Sequence, residues 1–228
     1  MLVAPQPGVP VVLSYLALRR AVGWIAFGLP FALIVPWSLL GKPLPSSISG
    51  YYHTGMRNLL VGSLCAVSMY LLGCRGYDRR DEMAGIFAAV CALGVAFFPT
   101  APTGTPSPSQ FRVEVAHYVF AALLFSTLAY FCLALFRLTS AKGPTRRKLQ
   151  RNRVYTVCGY AIIVSMLLIA ICKLGKIGSL AGLGPTFCFE TTSLLAFGIA
   201  WLVKGETFLK DLPGTQKNER GLTKVRSA

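Results

Sequence analysis

The chain has 228 residues, 54% hydrophobic and only 14% charged, which is too apolar for an ordinary soluble domain, where about a quarter of residues are charged. Mean hydropathy is +0.57, and apolar runs of about 16 to 24 residues recur along the length, against the roughly 17 to 25 that a helix needs to cross a bilayer. The net charge of +15 sits in short connections between those runs, so it points to the positive-inside rule and not to a nucleic-acid partner.

Residues 1–20 form an uncharged segment with Pro5, Pro7 and Pro10, closed by the pair Arg19 and Arg20. A signal peptide carries its charges ahead of its apolar region, so no cleavage is expected. The first span is read over 21–40, interrupted by Pro30 and Pro36. A polar loop leads to the second span, 51–74, with Ser49 as its N-cap. The connection Arg75 to Glu82 mixes both charges and reads as a salt-bridged hairpin around Tyr77, Asp78 and Asp81. The third span, 83–98, stops at Pro99, and the loop after it holds four prolines at 99, 102, 106 and 108, which makes it extended and stiff. Spans four to six follow at 113–136, 155–172 and 187–203. The basic connection Arg137 to Arg153 is expected to be solvated, and 204–228 is a polar tail.

This describes an all-α fold, a polytopic membrane helical bundle with six transmembrane helices over 21–203. Counting Lys and Arg on alternate sides puts eighteen of the 23 basic residues on one side, so both termini are expected to be cytoplasmic. The remaining five, Lys42, Arg57, Arg112, Lys173 and Lys176, lie on the other side. The seven cysteines lie in or at the ends of apolar runs and form no CxxC pair; they read as buried apolar thiols.

The outward side is chemically the richer one. It holds both histidines of the chain, His53 and His117, and two of its eight acidic residues, Glu114 and Glu190. Spans two, four and six all begin there, so these four residues are expected within about the first turn, where positive helix-dipole ends converge. Ser49, His53 and Arg57 are spaced i, i+4, i+8 and would form one stripe of span two. Glu114 and His117, at i and i+3, would be neighbours. Arg57, at membrane depth, needs a partner, for which Glu190 or Glu114 is the candidate. Tyr51 and Tyr52 read as aromatic-belt anchors.

Several of these motifs together, Ser47-Ile48-Ser49, Tyr52-His53-Thr54 with Arg57-Asn58, Gly76-Tyr77-Asp78 with Asp81, Phe98-Pro99-Thr100, His117-Tyr118 with Phe120-Ala121, and Phe189-Glu190 with Trp201 to Glu206, resemble a group of bacterial six-helix integral membrane proteins. That group is similar in layout to the FRAG/DRAM/Sfk-type membrane proteins. The resemblance covers residues 45 to 206. It implies a six-span fold and a membrane location, with lipid handling as an associated theme, and it supplies no reaction; the expected membrane is a bacterial inner membrane.

Three functions follow as expectations. The first is an outward polar pocket at the N-termini of spans two, four and six that binds a lipid head group or another small anionic ligand, through Ser49, Arg57, Asn58 and Arg112. The second is a membrane-embedded lipid hydrolase or transferase using His53, His117, Glu114 and Glu190, either as an acid/base pair or around a single Zn or Fe ion held by His53, His117 and Glu190. A proton-coupled transporter ranks last, because the spans carry almost no midplane charge. Membrane lipids are the expected partners in each case.

Overall fold

The computed structural model describes residues 15–73, 79–102, 104–138, 145–175, 177 and 183–209. Most of the N-terminal segment, the hairpin residues Tyr77 and Asp78, the middle of the basic connection, much of the glycine-rich loop before span six and the tail beyond 209 lie outside the described residues. Among the described residues six α-helices make up the fold: α1 (Tyr15–Leu39), α2 (Arg57–Gly73), α3 (Arg79–Phe97), α4 (Pro108–Leu133), α5 (Arg146–Leu174) and α6 (Pro185–Lys204). Four of them, α1, α4, α5 and α6, are long and apolar enough to cross a membrane.

Each helix packs on its neighbours in sequence, and α6 closes back onto α1, so the bundle is a ring. The α1–α6 seam shows what permits closure. A Cβ on Gly198 would sit 2.6 Å from the Phe27 backbone nitrogen, and one on Gly23 would sit 2.9 Å from that of Leu202. Two glycines therefore let two helix backbones approach to a separation no side chain allows, the close packing expected where apolar helices gain little from hydrophobic burial against one another. Between α2 and α3, the buried Ser68 hydroxyl donates to the Ala89 carbonyl at 2.9 Å. The outer surface carries large apolar side chains, among them Trp24, Val90, Val157 and Leu167, as a lipid-facing surface would.

Helix direction follows from the contacts along the ring. Arg20 Nε donates to the Gly205 carbonyl at 2.8 Å, tying the start of α1 to the end of α6. Ser46 accepts from Phe187 N at 3.1 Å, tying the α1–α2 connection to the start of α6. The starts of α2, α4 and α6 thus share one end of the bundle with His53 and His117, and described basic residues such as Arg20 and Lys148 lie at the other.

Helix boundaries differ from the sequence expectation in ways with identifiable causes. α4 starts five residues early, because Ser107 makes a reciprocal capping box with Gln110 and Pro108 occupies the first helical turn. α5 starts at Arg146, capped by Thr145, so half of the basic connection is helix and not solvated loop. Lys148 turns inward from it and donates to the Phe136 carbonyl at 2.8 Å. α2 starts late, at Arg57, because the segment before it takes another shape.

Candidate functional site

Ser49 to His53 forms a single 3-10 turn, followed by a break at Thr54. The Thr54 hydroxyl accepts from Met56 N at 3.1 Å and donates to the Tyr51 carbonyl at 2.7 Å. This local bonding competes with the helix ladder, as threonine side chains do. The expected stripe of Ser49, His53 and Arg57 therefore does not form, since it assumed unbroken α-helical spacing. Ser49 is not the cap of α2 either. It turns inward, while His53 and Arg57 point elsewhere.

Ser49 is the hub of the site. Its backbone N–H donates to Glu190 Oε2 at 3.2 Å, and its hydroxyl oxygen lies 3.4 Å from Glu190 Oε1. On its other side the hydroxyl meets His117 Nε2 at 3.1 Å. His117 is buried, with 3% exposure, and its Nδ1 lies 2.6 Å from the Phe98 carbonyl at the end of α3. A carbonyl only accepts, so Nδ1 carries a proton and Nε2 is the atom whose state can vary. Ser49 of the α1–α2 connection thus joins His117 of α4 to Glu190 of α6, with the end of α3 holding the far side of the imidazole.

Segment 46–49 is held in place by α6. Gly184 makes this possible, because a Cβ there would lie 2.4 Å from the Ser46 carbonyl oxygen. The Ser46 carbonyl then satisfies the N–H of Phe187, one of the first-turn donors that a helix leaves open.

A second chain of hydrogen bonds runs nearby. Lys173 Nζ donates to Tyr118 Oη at 2.6 Å, and Tyr118 Oη donates to Glu114 Oε1 at 2.6 Å. Lys173 also lies 3.9 Å above the Tyr118 ring, a cation–π contact. Glu114 is therefore partnered by Tyr118 at i+4 and not by His117 at i+3.

The other predicted residues separate. His53 is exposed and its Nε2 meets the Thr100 carbonyl at 2.7 Å. Arg57 donates to Tyr52 Oη at 2.5 Å and stacks on that ring at 4.2 Å, so its partner is an aromatic neighbour and not a carboxylate. Tyr51 is fully buried against Trp37 and Phe187 and is a core residue, not a belt anchor. Asn58 and Arg112 are exposed. Because α4 begins at Pro108 and α6 at Pro185, His117 lies more than two turns inside its helix and Glu190 in the second turn of its own. The helix dipole effect falls off within the first turn, so the expected focusing of three positive ends on these residues is not realised. His53 and His117 also hold different partners, and among the described residues no three His, Cys, Asp or Glu side chains come together in a group that could hold a metal ion.

Beside a small cavity of about 10 Å³ at Ser49 and His117, two larger ones meet this arrangement. A wide one of about 730 Å³ opens at the histidine end, bordered by His53, Glu114, Tyr118, Lys173, Gly184 and Glu190 among others. A narrow one of about 70 Å³ lies inside the ring, lined by apolar side chains including Leu29, Leu64, Ala121, Leu124 and Phe197, with Ser49 and Glu190 among its polar contributors. Glu190 borders both. Arg57, Asn58 and Arg112 border neither.

Tyr118 and Lys173 are the participants that sequence reasoning missed. Tyr118 was accessible through its i+4 spacing from Glu114, whereas Lys173, 55 positions away, carries no local signal. No protein-family model, curated protein or solved structure matches the chain.

Proposed function

We propose that the chain is a six-span membrane protein that takes an amphiphilic molecule, a membrane lipid or a relative of one, into its bundle from the outward, histidine-bearing end. The polar group occupies the wide cavity beside Lys173, Tyr118 and Glu190, and the hydrocarbon enters the ring. The carrying observation is the position of Glu190 on the border of both a polar cavity of about 730 Å³ and an apolar one of about 70 Å³. The larger volume falls within the roughly 300–1,000 Å³ usual for small-molecule sites.

Two further points support the membrane part of this reading. α2 and α3 have 17 and 19 residues, about 26 and 28 Å at 1.5 Å per residue, close to the ~30 Å hydrocarbon thickness. They also stand in the ring between α1 and α4, which are long enough to cross by themselves. The charge asymmetry of the connections favours cytoplasmic termini, and the resemblance to bacterial six-helix proteins favours the inner membrane. Among the described residues that line the cavity, Lys173 is the lysine or arginine that can meet an anionic head group.

Binding of a single-chain lysophospholipid to the purified protein, read by native mass spectrometry, tests the proposal. Ala121→Phe fills the apolar cavity. If two or three methylenes at about 0.8 kcal/mol each are displaced, affinity falls roughly tenfold or more. Equal binding by the wild type and Ala121→Phe would show that the ring interior holds no chain.

A further inference from the structure

Ser49 stands between two side chains that can each hold a proton. Its hydroxyl has one hydrogen and two neighbours, His117 Nε2 at 3.1 Å and Glu190 Oε1 at 3.4 Å. The His117 Nδ1 proton is already committed to the Phe98 carbonyl. Two arrangements satisfy every contact. In the first, Glu190 is protonated and donates to Ser49 Oγ, and the Ser49 hydroxyl donates to a neutral His117. In the second, an imidazolium His117 donates to Ser49 Oγ, and the hydroxyl donates to a Glu190 carboxylate. Both arrangements hold the same number of protons and the same net charge. The state with a carboxylate and a neutral imidazole leaves one of the two contacts without a hydrogen, a cost of about 1–3 kcal/mol for a buried group.

We infer that Glu190, Ser49 and His117 form one acid–base unit that holds a proton in common and exchanges it, through the Glu190 carboxyl, with a hydroxyl or amine group of the molecule bound in the wide cavity. The internal step balances. The Glu190 O–H bond breaks as a Ser49 Oγ–H bond forms, while the original Ser49 Oγ–H bond breaks as a His117 Nε2–H bond forms. No further reactant is needed. Glu190 is the end that borders the cavity, and His117, buried among α3, α4 and the 3-10 turn, is the internal store. Ser49 is the positioning residue between them. The charged and titratable groups that face the unit across the cavity are Lys173 from α5, Glu114 and Tyr118 from α4, and His53 from the 3-10 turn. The identity of the exchanging group rests on the amphiphile reading; the shared proton does not.

The test uses full-length protein in lipid vesicles with ¹⁵N-labelled histidine and no added ligand, so that its failure is distinct from a failure of lipid binding. The chain has two histidines, and His53→Asn assigns the signals. Neutral His117 should carry its proton on Nδ1. Glu190→Gln, whose amide can donate to Ser49 but cannot release a proton, should hold His117 neutral under conditions where the wild type shows imidazolium. That effect should be lost in a Ser49→Ala background. A neutral His117 protonated on Nε2, or a Glu190→Gln effect that is the same with and without Ser49, would overturn the inference. As a check that requires no variant, infrared spectra of the wild type with ¹³C-labelled glutamate should show a carboxylic acid band falling as the His117 imidazolium signal grows. Independent changes in the two signals would also overturn it.

Discussion

Gly184→Ala is the sharpest single test of how the site is held. The Gly184 backbone has φ −64° and ψ 130°, an extended conformation open to any residue, so alanine introduces no backbone strain. It should even gain about 0.4–1 kcal/mol from reduced freedom of the unfolded chain. Against this, the added Cβ would lie 2.4 Å from the Ser46 carbonyl oxygen and 3.0 Å from the Ser46 carbonyl carbon and Cα. These are backbone atoms and cannot rotate away. Overpacking of this kind costs about 1–3 kcal/mol, and lifting Ser46 off α6 also removes its bond from Phe187 N, worth about 1 kcal/mol. The net expectation is a loss of roughly 1–3 kcal/mol in unfolding free energy, measured in mixed micelles. The control is Gly62→Ala, a helical position with nothing within 4 Å of the new Cβ, which should keep or raise stability by up to about 1 kcal/mol. Because Ser49 follows Ser46 closely, Gly184→Ala should also weaken the coupling between Glu190 and His117 seen in the labelled-histidine spectra. A Gly184→Ala protein as stable as the wild type, with that coupling intact, would refute the view that segment 46–49 is clamped by α6.

Three further outcomes are expected. The Tyr51 side chain is fully buried and its hydroxyl has no hydrogen-bond partner among the described residues, so Tyr51→Phe should keep or raise stability by up to about 1 kcal/mol; a loss larger than that in equilibrium unfolding would reveal a partner for the hydroxyl. Gly198→Ala should destabilise the α1–α6 seam by about 1–3 kcal/mol, whereas Gly28→Ala in α1, with nothing within 4 Å, should not, and equal stabilities would contradict the close approach. In a background with the native cysteines replaced, Ser109→Cys should react with an impermeant thiol reagent from outside the cell and Gln150→Cys only after the inner face is opened; labelling of both from one side would overturn the six-span arrangement.

How far the site could be read from residues depends on how local each contact is. Both histidines and both carboxylates belong to one end because helices joined by short connections alternate in direction, and the apolar runs show where the helices are. The contacts within that end were less accessible. The pairing of Glu114 with His117 failed because Tyr118 lies one position further on the same helix and offers a stronger donor. The stripe through Ser49, His53 and Arg57 failed because Thr54 bonds its own neighbours and breaks the helix, a competition that periodicity does not register. Arg57 found Tyr52, five positions away, and not a distant carboxylate.

By itself the sequence determined that the chain is helical and apolar, where most of its helices lie, and which titratable residues share an end of the bundle. Those properties follow from composition, period and connection length, which are local. Tertiary structure decided that Ser49 stands between His117 and Glu190, that Tyr118 and Lys173 line the wide cavity with Glu190, and that the two arginines turn away. The Ser49–Glu190 contact spans 141 positions and the Ser49–His117 contact spans 68. The first depends on closure of the ring between α1 and α6, which rests on glycines whose role appears only when two backbones are seen to meet; the second comes from the packing of α2, α3 and α4.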